Sequence, residues 1–253
     1  VNDAIMDIFH NEDLMTRDIV LSYAVKHNVC PFEFELDVSL WCDAIICDYN
    51  YVFDPQVYLR RFFDTEGNKY VFLIDEAHNL VDRSREMFSA EIDKADFLDI
   101  KDIFVDKYSA IYKSINKCNS IFNKLNRELE IEKEHYQKEE ITDLYYPLKK
   151  LMTLMEPWLI EEKNHSEYDK VMELYFKIST FLKISDFYDE HYVTCFEGNG
   201  KDLILRLYCV DSSYLLSQSL KRGMAAIFFS ATLTPLEYHR NLLGGNNEDY
   251  HIK

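Results

Sequence analysis

Glycine and proline are scarce in this chain, six and five among 253 residues, too few for a collagenous or low-complexity sequence. With 47% apolar and 29% charged residues, broad disorder is excluded too, and the length suits one large domain or two small ones with a substantial core. Long apolar runs are missing. The longest, Met224 to Phe229, falls far short of the ~18 residues a spanning helix needs, and no basic-then-apolar stretch opens the chain as a secretory signal would. These absences point to a cytoplasmic protein with no membrane partner. Positive charge is in short supply as well. Lys and Arg number 28 against 45 Asp and Glu, a net of −17, so general attraction to phosphate backbones is absent and any nucleic-acid contact must be local. The six cysteines, Cys30, Cys42, Cys47, Cys118, Cys195 and Cys209, are scattered with no C-x-x-C pair. That fits reduced thiols, most of them small buried hydrophobes, better than a disulfide framework.

What is present has a clear order. Val1 to Lys26 is helical in pattern, with Ile5, Ile8 and Phe9 on one face and Thr16 placed to cap a second helix before Arg17-Asp18. No initiator Met and no turn signal precede Val1, so the expectation is a segment from inside a larger protein. Three apolar runs follow: Ala44 to Cys47, closed by Asp48-Tyr49-Asn50; Tyr70 to Ile74, after the turn signal Glu66-Gly67-Asn68 and ending at Asp75; and Ala225 to Phe229, ending at Ser230. Runs of this kind predict parallel strands buried on both faces, with a ligand edge at their carboxyl ends, and hence an α/β core. Between the second and third runs, Phe97, Ile100, Phe104, Tyr108, Ile111, Ile115, Cys118, Phe122, Leu125 and Leu129 recur at spacings of three and four, the seam of one long amphipathic helix. Shorter helical patterns run through Leu144, Leu148, Leu151 and Met155 before Pro157, and through Val171, Leu174, Ile178 and Phe181. Together they predict a helical insertion from about Glu91 to Glu190, with 22 acidic against 15 basic residues, a charge that ordinarily marks solvated helix faces. A hairpin is predicted next, Tyr192 to Glu197 and Leu203 to Val210 around Gly198-Asn199-Gly200. No internal repeat is found.

The most informative residues are Asp75-Glu76-Ala77-His78. An acidic pair at the carboxyl end of a buried strand is what a Walker B element requires: one carboxylate holds Mg2+ on nucleotide phosphates, and the next orients or deprotonates the attacking water. The competing reading is a solvated Asp-Glu opening a helix, where acidic side chains favour the dipole. Ser230-Ala231-Thr232 also follows a strand run directly. Its hydroxyls would relay a nucleotide-state change by hydrogen bonding, or merely cap the helix suggested by Thr234-Pro235-Leu236-Glu237.

These residues carry a resemblance. Ile74 to Leu80, IDEAHNL, and Phe229 to Leu236, FSATLTPL, resemble motifs II and III of superfamily-two helicases. Cys30-Pro31-Phe32-Glu33 together with Trp41 to Pro55, WCDAIICDYNYVFDP, is similar to the DinG/XPD-like iron-sulfur DNA helicases in particular. The resemblance implies a RecA-like parallel-sheet motor domain, incomplete here, with a long all-helical inserted Arch. It divides the chain into the end of an iron-sulfur domain (1–32), the first part of motor domain 1 (33–90), the Arch (91–190) and the second part of the motor domain (191–253). By residue, it implies that Asp75 coordinates Mg2+, that Glu76 is the catalytic base, and that His78, Ser230 and Thr232 couple ATP hydrolysis to nucleic acid. Cys30 would be one ligand of a 4Fe-4S cluster, against the plainer reading of an ordinary thiol. Single-stranded DNA is the implied partner. Weaker candidates for contacting it are Arg17, Lys26 and His27 near Cys30, and Tyr49 and Tyr51 at a strand end, through phosphate contacts or stacking.

Two departures stand out. The chain has no phosphate loop, because Gly200-Lys201 is followed by Asp202 where Ser or Thr is required and Cys195 stands where the first Gly should be. Three of the four cluster cysteines are also missing, since Cys42 and Cys47 lie on the strand side of Cys30. In the family these parts precede the point where Val1 begins, and a second motor domain follows the point where Lys253 ends. The expectation is therefore an internal fragment of an ATP-dependent DNA helicase acting in repair or replication, inactive by itself. Rival readings are a non-enzymatic module whose long helix presents a docking surface, and a nuclease or RNA-directed motor on the same core.

Overall fold

In the computed structural model, described for residues 1–63, 69–131, 133–198 and 202–250, the chain forms two compact units. The turn signal Glu66-Gly67-Asn68, the hairpin turn residues Asn199 and Gly200, and the Gly200-Lys201 pair lie outside the described residues.

The first unit comprises Val1–Asp48 and the segment beginning at Arg60. Its helices are α1 (Asn2–Asn11), α2 (Arg17–Lys26) and α3 (Pro31–Ser39). Ala4 and Ile8 of α1, Val20, Tyr23 and Ala24 of α2, and Phe34 and Val38 of α3 close a small core. Thr16 caps α2 as its sequence position predicts, accepting the Ile19 N–H at 3.4 Å. Asp7 accepts from Lys26 Nζ at 2.6 Å and lies 2.7 Å from His27 Nε2, pinning α1 to the end of α2. The hydrogen bond from Lys26, and then that from His27, hold the Asp7 carboxyl below the usual carboxylate range.

The second unit takes Tyr49–Leu59 and the described residues from Lys69 onward. A short helix α4 (Asn50–Phe53) belongs to it, while α5 (Arg60–Phe63) belongs to the first unit, where Arg61 bonds Glu33 and Asp37 of α3. The order then runs β1 (Val71–Ile74), α6 (His78–Met87), β2 (Ala90–Asp93), α7 (Lys94–Lys101), a 3-10 turn over Asp102–Phe104, α8 (Ser109–Glu128), β3 (Glu134–Gln137), α9 (Thr142–Glu161), α10 (Tyr168–Ser185), β4 (Tyr192–Gly198), β5 (Leu203–Cys209), α11 (Ser213–Leu220), β6 (Ala225–Phe228) and α12 (Leu236–Leu242). Strands β1 and β6 pair in parallel, with Ile74 opposite Phe228. The others make an antiparallel sheet in the order β2-β5-β4-β3. The core lies between that sheet and helices α7 to α10, and the seam is in it: Phe97, Ile100, Phe104, Ile111, Ile115, Cys118 and Phe122 are all buried. Trp158, 2% exposed, is set edge-on to Phe104 at 5.4 Å and stacked on Tyr168 at 6.2 Å. No helix among the described residues is long and apolar enough to cross a membrane.

Five expectations need correction. The seam does not lie on one helix. It passes from α7 through the 3-10 turn into α8, because Tyr108 takes a non-helical φ of −122° and ψ of 55°, while the three-and-four spacing still aims Phe104 and Ile111 into one core. The span 91–190 is not all-helical, since β2 and β3 enter it. Residues Ala90 to Asp93 alternate buried and exposed, a strand period at the point where the insertion's helices were expected to begin. The polar Glu134 to Gln137 becomes a strand only because the edge of β4 offers it hydrogen-bond partners. The run Ala44 to Cys47 is no strand: no described strand lies beside it to complete a ladder, and Ile46 is fully exposed. Strand β1 is buried on one face only, and β6 is at most half-buried on one. Phe72 and Ile74 turn inward and Ala226 and Phe228 are half-buried, whereas Val71, Leu73 and Ile227 stay exposed. Finally, the helix predicted to stop before Pro157 continues to Glu161, with both Pro147 and Pro157 inside it.

Candidate functional site

Parallel pairing places the carboxyl ends of β1 and β6 side by side. Phe229 N donates to Ile74 O at 3.0 Å and Ala77 N donates to Phe229 O at 3.1 Å, so Asp75-Glu76 and Ser230 leave the sheet as neighbours. Proximity across 152 residues of sequence is thus a product of sheet register.

The acidic box is a tight turn. Glu76 has a φ of +46°, in the left-handed region that non-glycine residues seldom occupy. Its N–H donates to Asp75 Oδ1 at 2.8 Å, and the Tyr49 hydroxyl bonds the carbonyls of Asp75 and Glu76. His78 opens α6, and its Nδ1 lies 2.7 Å from Ser230 Oγ and 3.3 Å from Glu76 Oε2. Ser230 Oγ donates to Glu76 Oε2 at 3.2 Å and accepts from Thr232 N at 3.2 Å. With its one proton given to Glu76, Ser230 accepts from an Nδ1–H of His78. The capping alternative for Ser230 and Thr232 is not what the structure shows. Helix α12 has Pro235 at its N-cap with no side-chain cap bond, and both hydroxyls belong to the network around Glu76.

Asp75 and Glu76 are exposed, and the Asp75 carboxylate is a hard oxygen donor at a strand end, which fits a Mg2+ ligand. The cluster expectation fares differently. Cys30 is exposed at the N-cap of α3, and among the described residues no three His, Cys, Asp or Glu side chains converge as a metal site. One thiolate is not a cluster site, so the residues of this chain do not by themselves fit a 4Fe-4S group. Burial pushes the Cys118 thiol up to about 12 and the Cys209 thiol to about 11, which marks them as inert core residues.

The weaker DNA candidates are divided between the units. Arg17 is exposed at the start of α2. Lys26 and His27 are both held by Asp7, which offsets the lysine charge locally. Tyr51 is half-buried in α4, and the Tyr49 hydroxyl is engaged by the acidic box. Sequence reasoning missed this last bond, and also Arg222, which donates to Val52 O at 2.6 Å and lies 3.8 Å over the Tyr58 ring. Neither has a local signal, because each joins residues far apart in the chain. A cavity of about 670 Å³ between α6, β2 and α10 stands apart from the box, its charges partly spent on the pairs Glu86–Arg206 and Glu173–Lys177.

Known proteins share parts of this chain. The DEAD_2 family model matches residues 2–97. A Fanconi anemia group J protein homolog from Gallus gallus is 32% identical over 73 residues, 29% of this chain and 6% of that protein. Regulator of telomere elongation helicase 1 homologs are 27% identical over 121 residues in Aedes aegypti (48% of this chain, 10% of the relative) and 26% over 90 residues in Caenorhabditis briggsae (36% and 9%). The chain therefore spans a tenth or less of the curated relatives it matches. The solved structure of S. tokodaii Xpd4 aligns with a TM-score of 0.43 at 17% identity, over 71% of this chain and 38% of that one.

Proposed function

We propose that the chain belongs with the DinG/XPD-like superfamily-two helicases and is a portion of a longer ATP-dependent DNA helicase that moves along single-stranded DNA and unwinds duplex. Residues 33–90 and 191–253 are assigned to its first motor domain, 91–190 to the Arch, and 1–32 to the end of the cluster domain. The observation that carries the proposal is the convergence of Asp75, Glu76, His78, Ser230 and Thr232 at adjoining ends of parallel strands. The uncovered apolar face of β1 and β6 supports it further, since a motor domain would lay more structure there.

The chemistry follows from the geometry. Asp75 would hold Mg2+, which supplies charge neutralisation on the phosphates. Glu76 accepts a proton from water as the water oxygen bonds to the terminal phosphorus and the bond to the diphosphate oxygen breaks. Ser230 and His78, both within 3.3 Å of Glu76 Oε2, sense whether that carboxylate is engaged and pass the state to β6 and α6. Repair or replication is the proposed setting.

The docking-module alternative loses its main support, because the apolar seam it needs exposed is buried. The ATPase reading is tested with Glu76→Gln in the full-length protein. ATP binding is expected to persist while hydrolysis falls by about 100-fold or more, the amide being unable to accept a proton. Near-normal turnover would refute it.

A further inference from the structure

Glu76 is held on a left-handed backbone, φ +46°, which an L residue seldom adopts and which persists only where the surroundings impose it. The turn is gripped from two sides. On the β6 side, Phe229 O accepts from Ala77 N at 3.1 Å. On the other side, the Tyr49 hydroxyl shares its proton between the carbonyl oxygens of Asp75 and Glu76, the latter at 3.2 Å. Those two carbonyls belong to the peptides on either side of the Glu76 Cα, which together set where its side chain points.

Tyr49 is itself anchored. Its carbonyl accepts from Val52 N at 3.0 Å and Phe53 N at 2.9 Å, starting α4. Phe53 is 1% exposed and its ring meets Phe72 of β1 at 6.5 Å. Downstream, Arg222 bonds Val52 O at 2.6 Å and covers Tyr58, and Lys183 bonds Pro55 O. The segment 49–58 is a braced strut with a phenol at its tip.

We infer that Tyr49 is a positioning residue for the acidic box: its hydroxyl fixes the Asp75 and Glu76 carbonyls and so aims the Glu76 carboxylate at the attacking water. This rests on the ATPase reading above. Tyr49 acts through Glu76 and touches no reacting atom. Removing its oxygen keeps the ring, the strut and the Glu76 carboxylate and takes away the two bonds to the turn.

The test is Tyr49→Phe in the full-length protein, assayed for Mg-ATP hydrolysis beside Glu76→Gln and the double variant. The expected result is a kcat lowered roughly 5- to 50-fold, with KM for ATP and the unfolding temperature essentially unchanged. In the Glu76→Gln background, Tyr49→Phe should change the residual rate by less than about twofold, since both act through one carboxylate. A Tyr49→Phe kcat equal to that of the parent, while Glu76→Gln is inactive, overturns the inference and leaves the ATPase reading standing. The inference is equally overturned if the two effects multiply in the double variant, or if kcat falls only together with the unfolding temperature. Normal turnover by Glu76→Gln would sink the ATPase reading itself, and the inference with it.

Discussion

Replacing Ser230 with Ala removes one oxygen and, with it, four contacts. These are the donation to Glu76 Oε2 at 3.2 Å, the bond with His78 Nδ1 at 2.7 Å, the acceptance from Thr232 N at 3.2 Å and the contact with Thr232 Oγ1 at 3.4 Å. The site is partly open to solvent, so water replaces some of what is lost and each contact is worth about 0.5–1.5 kcal/mol net. The bond to His78 is the shortest and is the one that ties the end of β6 to α6. About 1 kcal/mol lost from that tie shifts a two-state coupling roughly fivefold. The ratio of ATP hydrolysis with single-stranded DNA to that without it should therefore fall about fivefold in Ser230→Ala, while the DNA-free rate, which the proposed function gives to Asp75 and Glu76, should change less than about twofold. Steady-state ATPase assays of the full-length protein, titrated with a single-stranded oligonucleotide, read both quantities. An unchanged ratio, or equal loss in both conditions, would refute the assignment of Ser230 to coupling.

Other consequences follow from the packing and the charges. Trp158→Ala empties a site walled by Phe104 and Tyr168, which should cost about 3–5 kcal/mol and lower the unfolding temperature by roughly 10 °C; calorimetry showing a shift of under about 2 °C would contradict the packing. Asp7 and Glu162 both titrate below their ordinary range, each held down first by a hydrogen bond from lysine, Lys26 and Lys107 respectively. A depressed folded pKa adds stability above the ordinary carboxylate range and loses it as pH falls through the folded value. Denaturant midpoints should therefore drop on acidification below that range, with a shallower drop in Asp7→Asn; an identical slope in the variant would count against the Asp7–Lys26 tie. Native alkylation followed by mass spectrometry should label Cys30 and Cys42, both exposed, and spare Cys118 and Cys209, both buried with raised thiol pKa values. Early labelling of Cys118 would refute the core.

Much of the fold was legible because periodicity survives local irregularity. The seam from Phe97 to Leu129 marked the core correctly although the helix breaks at Tyr108, since a 3-10 turn and a short loop preserve the facing of Phe104 and Ile111. Thr16 and the hairpin strands were readable from residue type and spacing. The failures share a cause. Whether Ala44 to Cys47 or Glu134 to Gln137 forms a strand depends on a neighbouring strand and not on the segment itself, so propensity misjudged both in opposite directions. At the site, the types and positions of Asp75, Glu76, His78 and Ser230 were visible, but the Tyr49 tether was not. A hydroxyl bonding two carbonyls 26 residues and more away leaves no pattern in the sequence.

A DNA-dependent motor whose acidic box drives hydrolysis is most directly examined through ATP hydrolysis by the full-length protein, with and without single-stranded DNA. The expected outcome is a Mg2+-dependent rate that rises severalfold with DNA and collapses in both conditions in Asp75→Asn. Hydrolysis that is indifferent to DNA, or that survives loss of the Asp75 carboxylate, would contradict the motor and the role of its acidic box.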